Sequence, residues 1–117
     1  MAKILIVEDS AAVAQAMSAL LGGAGHETRV ASEPSAALAE EARFLPDAVL
    51  LNVRITDAFK LVREVRERRG ESIRLIACTA FDRDGVPGRH LLAVGFDAAL
   101  GTPLFLADLE KALRSAP

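Results

Sequence analysis

The chain has no tryptophan, no tyrosine and one cysteine among its 117 residues. A single cysteine excludes an internal disulfide and suits a reducing compartment such as the cytoplasm. Without Trp or Tyr, the intrinsic fluorescence that usually reports ligand binding is missing. There is no excess of basic charge: 14 Lys and Arg against 16 Asp and Glu leave a net charge of -2. Nothing in that balance argues for nucleic acid or an anionic membrane surface as a partner. No apolar run approaches the ~20 residues of a membrane-spanning helix. Met1-Ala2-Lys3 leads straight into an apolar run, so no signal peptide is expected. No Gly-x-Gly-x-x-Gly or Walker-type loop occurs, and Gly22-Gly23-Ala24-Gly25 ends a helical pattern instead of opening one, so it cradles no phosphate. His26 and His90 lack partners at metal-ligand spacing, and both read as surface residues. Cys78 lies within an apolar run, where a lone cysteine behaves as a small hydrophobe.

What is present is an ordinary globular balance, 51% hydrophobic and 26% charged, in one domain spanning residues 1–117. Short apolar runs alternate with amphipathic stretches. Strands are expected at Lys3–Val7, Glu27–Ala31, Asp47–Leu51, Ile73–Cys78 and Phe96–Leu100. The first helix should run from Ser10 to Gly22, with Val13, Met17, Leu20 and Leu21 at helical spacing. Ser32 looks like the N-cap of a second helix that has Pro34 just inside it and ends near Arg43. A third helix, Ala58 to Arg69, places Leu61, Val62 and Val65 on one face. Its run Arg63-Glu64-Val65-Arg66-Glu67-Arg68-Arg69 interleaves both signs of charge and reads as a solvated face. Gly85, Pro87 and Gly88 make the fourth helix short or late, carrying Leu91, Leu92 and Val94. The last helix is expected over Phe105–Leu113.

Five strand–helix units imply an α/β fold, a doubly wound (βα)5 sandwich around a parallel sheet. The strands are nearly continuous apolar runs, as expected when helices cover both faces. Ligands in such folds sit beyond the carboxyl ends of the strands. Glu8, Asp9, Asn52, Thr79 and Thr102 all fall at such ends and should cluster in space.

The order and spacing of several segments carry a family resemblance across essentially the whole chain. These are Ile4-Leu5-Ile6-Val7-Glu8-Asp9-Ser10, Pro46-Asp47, Ala77-Cys78-Thr79-Ala80 and Gly95-Phe96-Asp97-Ala98. Together they resemble the receiver domain of bacterial response regulators, and the last is similar to receivers of hybrid sensor histidine kinases. That family is itself a standard example of the flavodoxin-like strand order 2-1-3-4-5, which the resemblance implies here. An active receiver takes a phosphoryl group on the aspartate ending strand three. Mg2+ held by the acidic pair, a lysine and a hydroxyl neutralise and bind the transferred group.

In this chain Glu8 and Asp9 match the acidic pair and Thr79 matches the hydroxyl. Asn52 stands at the acceptor position and Thr102 at the lysine position. Ala99 stands where an aromatic switch residue is usual. Thr56 and Lys60 replace the usual proline and glycine after the acceptor. The losses are consistent with one another, because two carboxylates ~4 Å apart repel by about 4 kcal/mol at an effective dielectric near 20. A neutral amide at position 52 removes one of three negative charges, and the lysine then has less to compensate.

The resemblance therefore implies a degenerate pseudo-receiver of a two-component or phosphorelay system. It would be a non-enzymatic cytoplasmic module that acts through protein contacts without phosphorylation. Its partners would be a histidine kinase, another response regulator or a second copy, on a face carrying Leu91, Leu92, Val94, Ala99 and Leu104. No cofactor is required, and Glu8 and Asp9 still suit a weakly held Mg2+. Asn52 is expected to pin its loop by hydrogen bonding, and Asp57 to cap the third helix. Two alternatives stay open: phosphorylation on another carboxylate such as Asp57, or a metal or small ligand bound by Glu8, Asp9 and Asn52.

Overall fold

All five apolar runs form strands, and every neighbouring pair is parallel. The computed structural model describes residues 1–79, 88–101 and 104–114. In chain order the elements are β1 (Lys3–Val7), α1 (Ala11–Gly23), β2 (Glu27–Ala31), α2 (Pro34–Phe44), β3 (Ala48–Asn52), α3 (Ala58–Arg69), β4 (Arg74–Thr79), α4 (Gly88–Val94), β5 (Ala98–Gly101) and α5 (Leu106–Arg114). The sheet order is β2-β1-β3-β4-β5, the doubly wound arrangement expected. β3 and β4 each run one residue further than the apolar pattern indicated, so Asn52 and Thr79 are their last residues.

Strand side chains alternate between faces, and here each set meets its own helices. Ile4, Ile6, Leu50 and Ile76 pack against Leu21 of α1 and Leu109 of α5. Leu5, Val49, Leu51 and Leu75 pack on the other side against Ala37 of α2, Leu61, Val62 and Val65 of α3, and Leu91 of α4. Burying each such aliphatic side chain contributes about 1.5–3 kcal/mol. Two-sided burial is why the central strands β1, β3 and β4 read as nearly unbroken apolar runs, whereas the edge strand β2, ETRVA, is largely exposed.

Helix α1 begins where expected, with the Ser10 hydroxyl accepting the Val13 N–H at 3.3 Å. Its buried stripe differs from the one the spacing favoured. Ala14 and Leu21 face inward, whereas Val13 is 45% and Leu20 38% exposed. The helix sequence AAVAQAMSALLGG contains no charged side chain, so no charged face marks which apolar stripe turns outward. In α2, Pro34 is the first helical residue and Glu33, not Ser32, occupies the N-cap without a side-chain cap bond. Helix α4 is short, and the part of the Asp82–Arg89 segment before residue 88 lies outside the described residues.

Two ionic clamps correct the reading of the Arg63–Arg69 run as a solvated face. Glu41 on α2 is 1% exposed and forms ion pairs with both Arg68 and Arg69 of α3. Arg69 also donates to the Pro46 carbonyl at 3.2 Å. Arg66 donates to the carbonyls of Gly95 (3.0 Å), Gly70 (2.7 Å) and Ile73 (2.9 Å) and to Asp97 Oδ2. Gly95 permits this close approach: its φ is +130°, and a Cβ there would meet Val62 Cγ1 at 3.2 Å. Arg63 and Glu67 remain exposed.

His26 is also not a surface residue. It is 9% exposed, its Nδ1 accepts the Ala2 N–H at 2.9 Å, and its Nε2 lies 2.8 Å from Glu110 Oε1 on α5. His90 is exposed, as expected, with its ring 6.0 Å from that of Phe59.

Candidate functional site at the carboxyl ends of β1, β3 and β4

Register alone brings the central residues together. Val7 pairs with Leu51 and Asn52 pairs with Cys78, so the residue after β1 stands beside the last residue of β3. The Glu8 N–H extends the β1–β2 ladder by donating to the Ala31 carbonyl at 3.0 Å. This seats the Glu8 side chain, only 7% exposed, over the end of the sheet. Asp9 points outward and is exposed. Thr79 follows Cys78 at the end of β4 and is 1% exposed.

Glu8 has both carboxylate oxygens engaged. Oε1 accepts the Ser10 N–H at 3.1 Å, and Oε2 accepts Asn52 Nδ2 at 2.8 Å. On the other side of the amide, Asn52 Oδ1 accepts the Arg54 N–H at 2.9 Å. The amide has one satisfactory orientation: turned over, it would set oxygen against the Glu8 carboxylate and NH2 against the Arg54 N–H. Asn52 therefore bridges the β1 end to the loop after β3, the pinning role expected of it. Negative charge on Glu8 also reaches Cys78, whose thiol is pushed up to about 12, first by burial and second by Glu8.

The same geometry bears on Mg2+, the cation the family would place here. Among the described residues no group of three or more His, Cys, Asp or Glu side chains is arranged to hold a metal. Each Glu8 oxygen already accepts a hydrogen bond, and the group facing it from Asn52 is a donor. In this arrangement the residues do not fit the ion.

The remaining positions are dispersed. Ala99 pairs with Ala77 on β4 and is half-buried against the α2–α4 side of the core. Thr102 lies outside the described residues. Of the expected partner face, Leu91 is fully buried and belongs to the core, whereas Leu92 is 54% exposed; Val94 and Leu104 are half-buried. Phe105, 62% exposed, adds an apolar surface residue at the start of α5 that the sequence reading did not include. Asp57 sits at the N-cap of α3 but with φ +66° and no side-chain cap bond. It is exposed and lines an open surface cavity of about 310 Å3 with Val53, Ile55, Phe59, Lys60 and Arg63. Neither Glu8 nor Asn52 lines that cavity.

Residues 4–114 match the response regulator receiver domain family. This chain belongs to that family. The receiver fold is equally evident in solved structures. The receiver domain of RstA from Klebsiella pneumoniae is 27% identical with a TM-score of 0.83, covering 97% of this chain and 99% of that one. NtrX from Brucella abortus gives a TM-score of 0.85 at 23% identity, covering 96% of this chain and 26% of that one. Among curated proteins, a protein-glutamate methylesterase/protein-glutamine glutaminase from Anaeromyxobacter dehalogenans is 31% identical over 83 residues. That match covers 71% of this chain, and the chain spans about a quarter (24%) of that relative. Receiver domains are the signalling modules of two-component systems, and in this receiver the third strand ends in Asn52. Among the described residues no helix is long and apolar enough to cross a membrane.

Proposed function

We propose that this receiver is a pseudo-receiver, a cytoplasmic module that signals or scaffolds through protein contacts and takes up no phosphoryl group. The observation that carries the reading is the 2.8 Å hydrogen bond from Asn52 to Glu8. An amide nitrogen occupies the place where a phosphorylatable receiver presents a nucleophilic carboxylate. An amide has neither the charge nor the lone-pair basicity to attack phosphorus. Thr102 at the lysine position and Ala99 at the aromatic position support the same reading, since both act only around a phosphoryl group.

Such a domain holds its partner surface in one state or is switched by a binding partner rather than by covalent modification. The exposed Leu92 and Phe105, with half-buried Val94, Ala99 and Leu104, are the positions to test against a histidine kinase, another response regulator or a second copy.

The test is incubation with acetyl phosphate and Mg2+ followed by intact mass measurement, together with amide NMR in beryllofluoride. The expected result is no adduct and no shifts at Glu8, Asn52, Thr79 or α4. A phosphoryl adduct on any carboxylate, the exposed Asp57 included, would overturn the reading.

A further inference from the structure

The polar end of the sheet holds a hydrogen-bonded chain that runs Ser10 N–H, Glu8, Asn52, Arg54 N–H. The three links measure 3.1 Å, 2.8 Å and 2.9 Å. Every polar atom of the two side chains that faces this seam has a complementary partner. A buried carboxylate needs positive charge or donors to offset its lost hydration. Glu8, 7% exposed, is given two N–H donors from inside the chain.

We propose that the Asn52 amide does the work of the divalent cation at this site, so that the pocket is complete without Mg2+ and excludes it. For an ion to bind, Glu8 would have to give up the Asn52 donor. Asn52 would also have to release the Arg54 N–H and turn its oxygen inward. Turning the amide gives up both the bond to Glu8 and the bond from the Arg54 N–H, which opposes binding. Asp9 alone remains, exposed, and a single carboxylate is a poor site for Mg2+. The pocket thus keeps its shape with or without the ion. The site is cation-independent by construction and not merely deprived of its acceptor.

The inference rests on the pseudo-receiver reading only in matching Asn52 to the acceptor position, and the two fail separately. The first measurement is a Mg2+ titration of the wild-type protein to about 10 mM, followed by amide NMR and by thermal melting in circular dichroism. The expected result is no saturable shift at Glu8, Asp9 or Asn52 and a Tm equal to that in EDTA. The second measurement uses Asn52→Asp, which sets a carboxylate against Glu8 in place of the donor. Its Tm in EDTA should fall by about 5 °C or more, and Mg2+ should restore it. Saturable Mg2+ binding by the wild type overturns the inference, whether or not the variant folds. So does an Asn52→Asp protein whose Tm ignores Mg2+. Neither result bears on the absence of a phosphoryl adduct, and an adduct would overturn the proposed function whatever Mg2+ does.

Discussion

Arg66 and Asp97 meet at 2.5 Å across the seam between α3 and the entry to β5. Asp97 Oδ2 also accepts the Leu75 N–H at 2.8 Å, while the same guanidinium takes three backbone carbonyls. One planar fork thus ties the end of α3, the start of β4 and the α4–β5 turn into a unit. Both side chains are about four-fifths buried, at 20% and 21% exposure. Removing Arg66 leaves Asp97 with only the Leu75 N–H and takes the donor from two part-buried carbonyls, those of Gly95 and Ile73. Arg66→Ala is expected to cost about 3 kcal/mol in urea unfolding. Arg66→Lys keeps the charge but cannot reproduce the fork and should cost about 1–2 kcal/mol. A loss within error of zero for Arg66→Ala would show that the seam is held by packing alone.

The Glu41 clamp is asymmetric, and this makes it testable by comparison. Arg68 is 45% exposed and Arg69 21%, and only Arg69 also holds the Pro46 carbonyl. Arg68→Ala should therefore cost under about 1 kcal/mol, as exposed pairs do. Arg69→Ala should cost about 2 kcal/mol, because it removes the less hydrated partner of a buried carboxylate. Equal losses for the two variants would contradict the geometry.

His26 and Glu110 link the first strand region to the last helix. Because Nδ1 accepts the Ala2 N–H, the ring proton lies on Nε2 and is donated to Glu110. That bond, ahead of the charges of Arg114 and the amino terminus, lowers the Glu110 carboxyl below its ordinary value of 4.5 even against its partial desolvation. A carboxyl lowered by folding adds stability above the unfolded value, and the contribution is lost as pH falls through the folded one. The Tm difference between wild type and Glu110→Gln should therefore be steady above the ordinary value of 4.5 and shrink as the solution is acidified below it. In His26→Ala, NMR titration of the Glu110 carboxyl should return it toward 4.5. A titration unchanged by that substitution would remove His26 as the cause.

The sequence made the sheet and the gathering of Glu8 and Asn52 at one end of it legible, because both follow from patterns that physics makes one-dimensional. Two-sided burial writes each central strand as an apolar run, and the polar residue ending such a run must sit at the carboxyl edge. Facing was harder to read. Leu91 and Leu92 are adjacent and equally apolar, yet only Leu91 turns inward. Helix α1, lacking any charge, gave no sign that Val13 and Leu20 lie outside. Glu41 could have been found: Ala37, Glu41 and Phe44 form one buried stripe at helical spacing. A carboxylate in such a stripe demands counter-charge, which the Arg68-Arg69 pair supplies. His26 left no such trace, since its partners lie 24 and 84 residues away.

Cys78 offers a chemical reporter where the missing Trp and Tyr leave no optical one. It pairs with Asn52 in the sheet, and burial together with the Glu8 charge pushes its thiol up to about 12 from an ordinary 9.0. The thiolate is the reactive form, so native protein should resist a disulfide-exchange reagent at neutral pH and react once unfolded. The same shift has a sign in stability. Below the ordinary thiol value both folded and unfolded chains keep the proton and nothing is lost. As pH rises from 9.0 toward 12, the unfolded chain ionises first, so stability should fall, and Cys78→Val should flatten that limb. The labelling rate measured against urea distinguishes two openings. A rate that climbs with urea in step with global unfolding places Cys78 in the cooperative core. A rate insensitive to urea would mean that the end of β4 opens locally beside Asn52, and the closed seam would be looser than its hydrogen bonds imply.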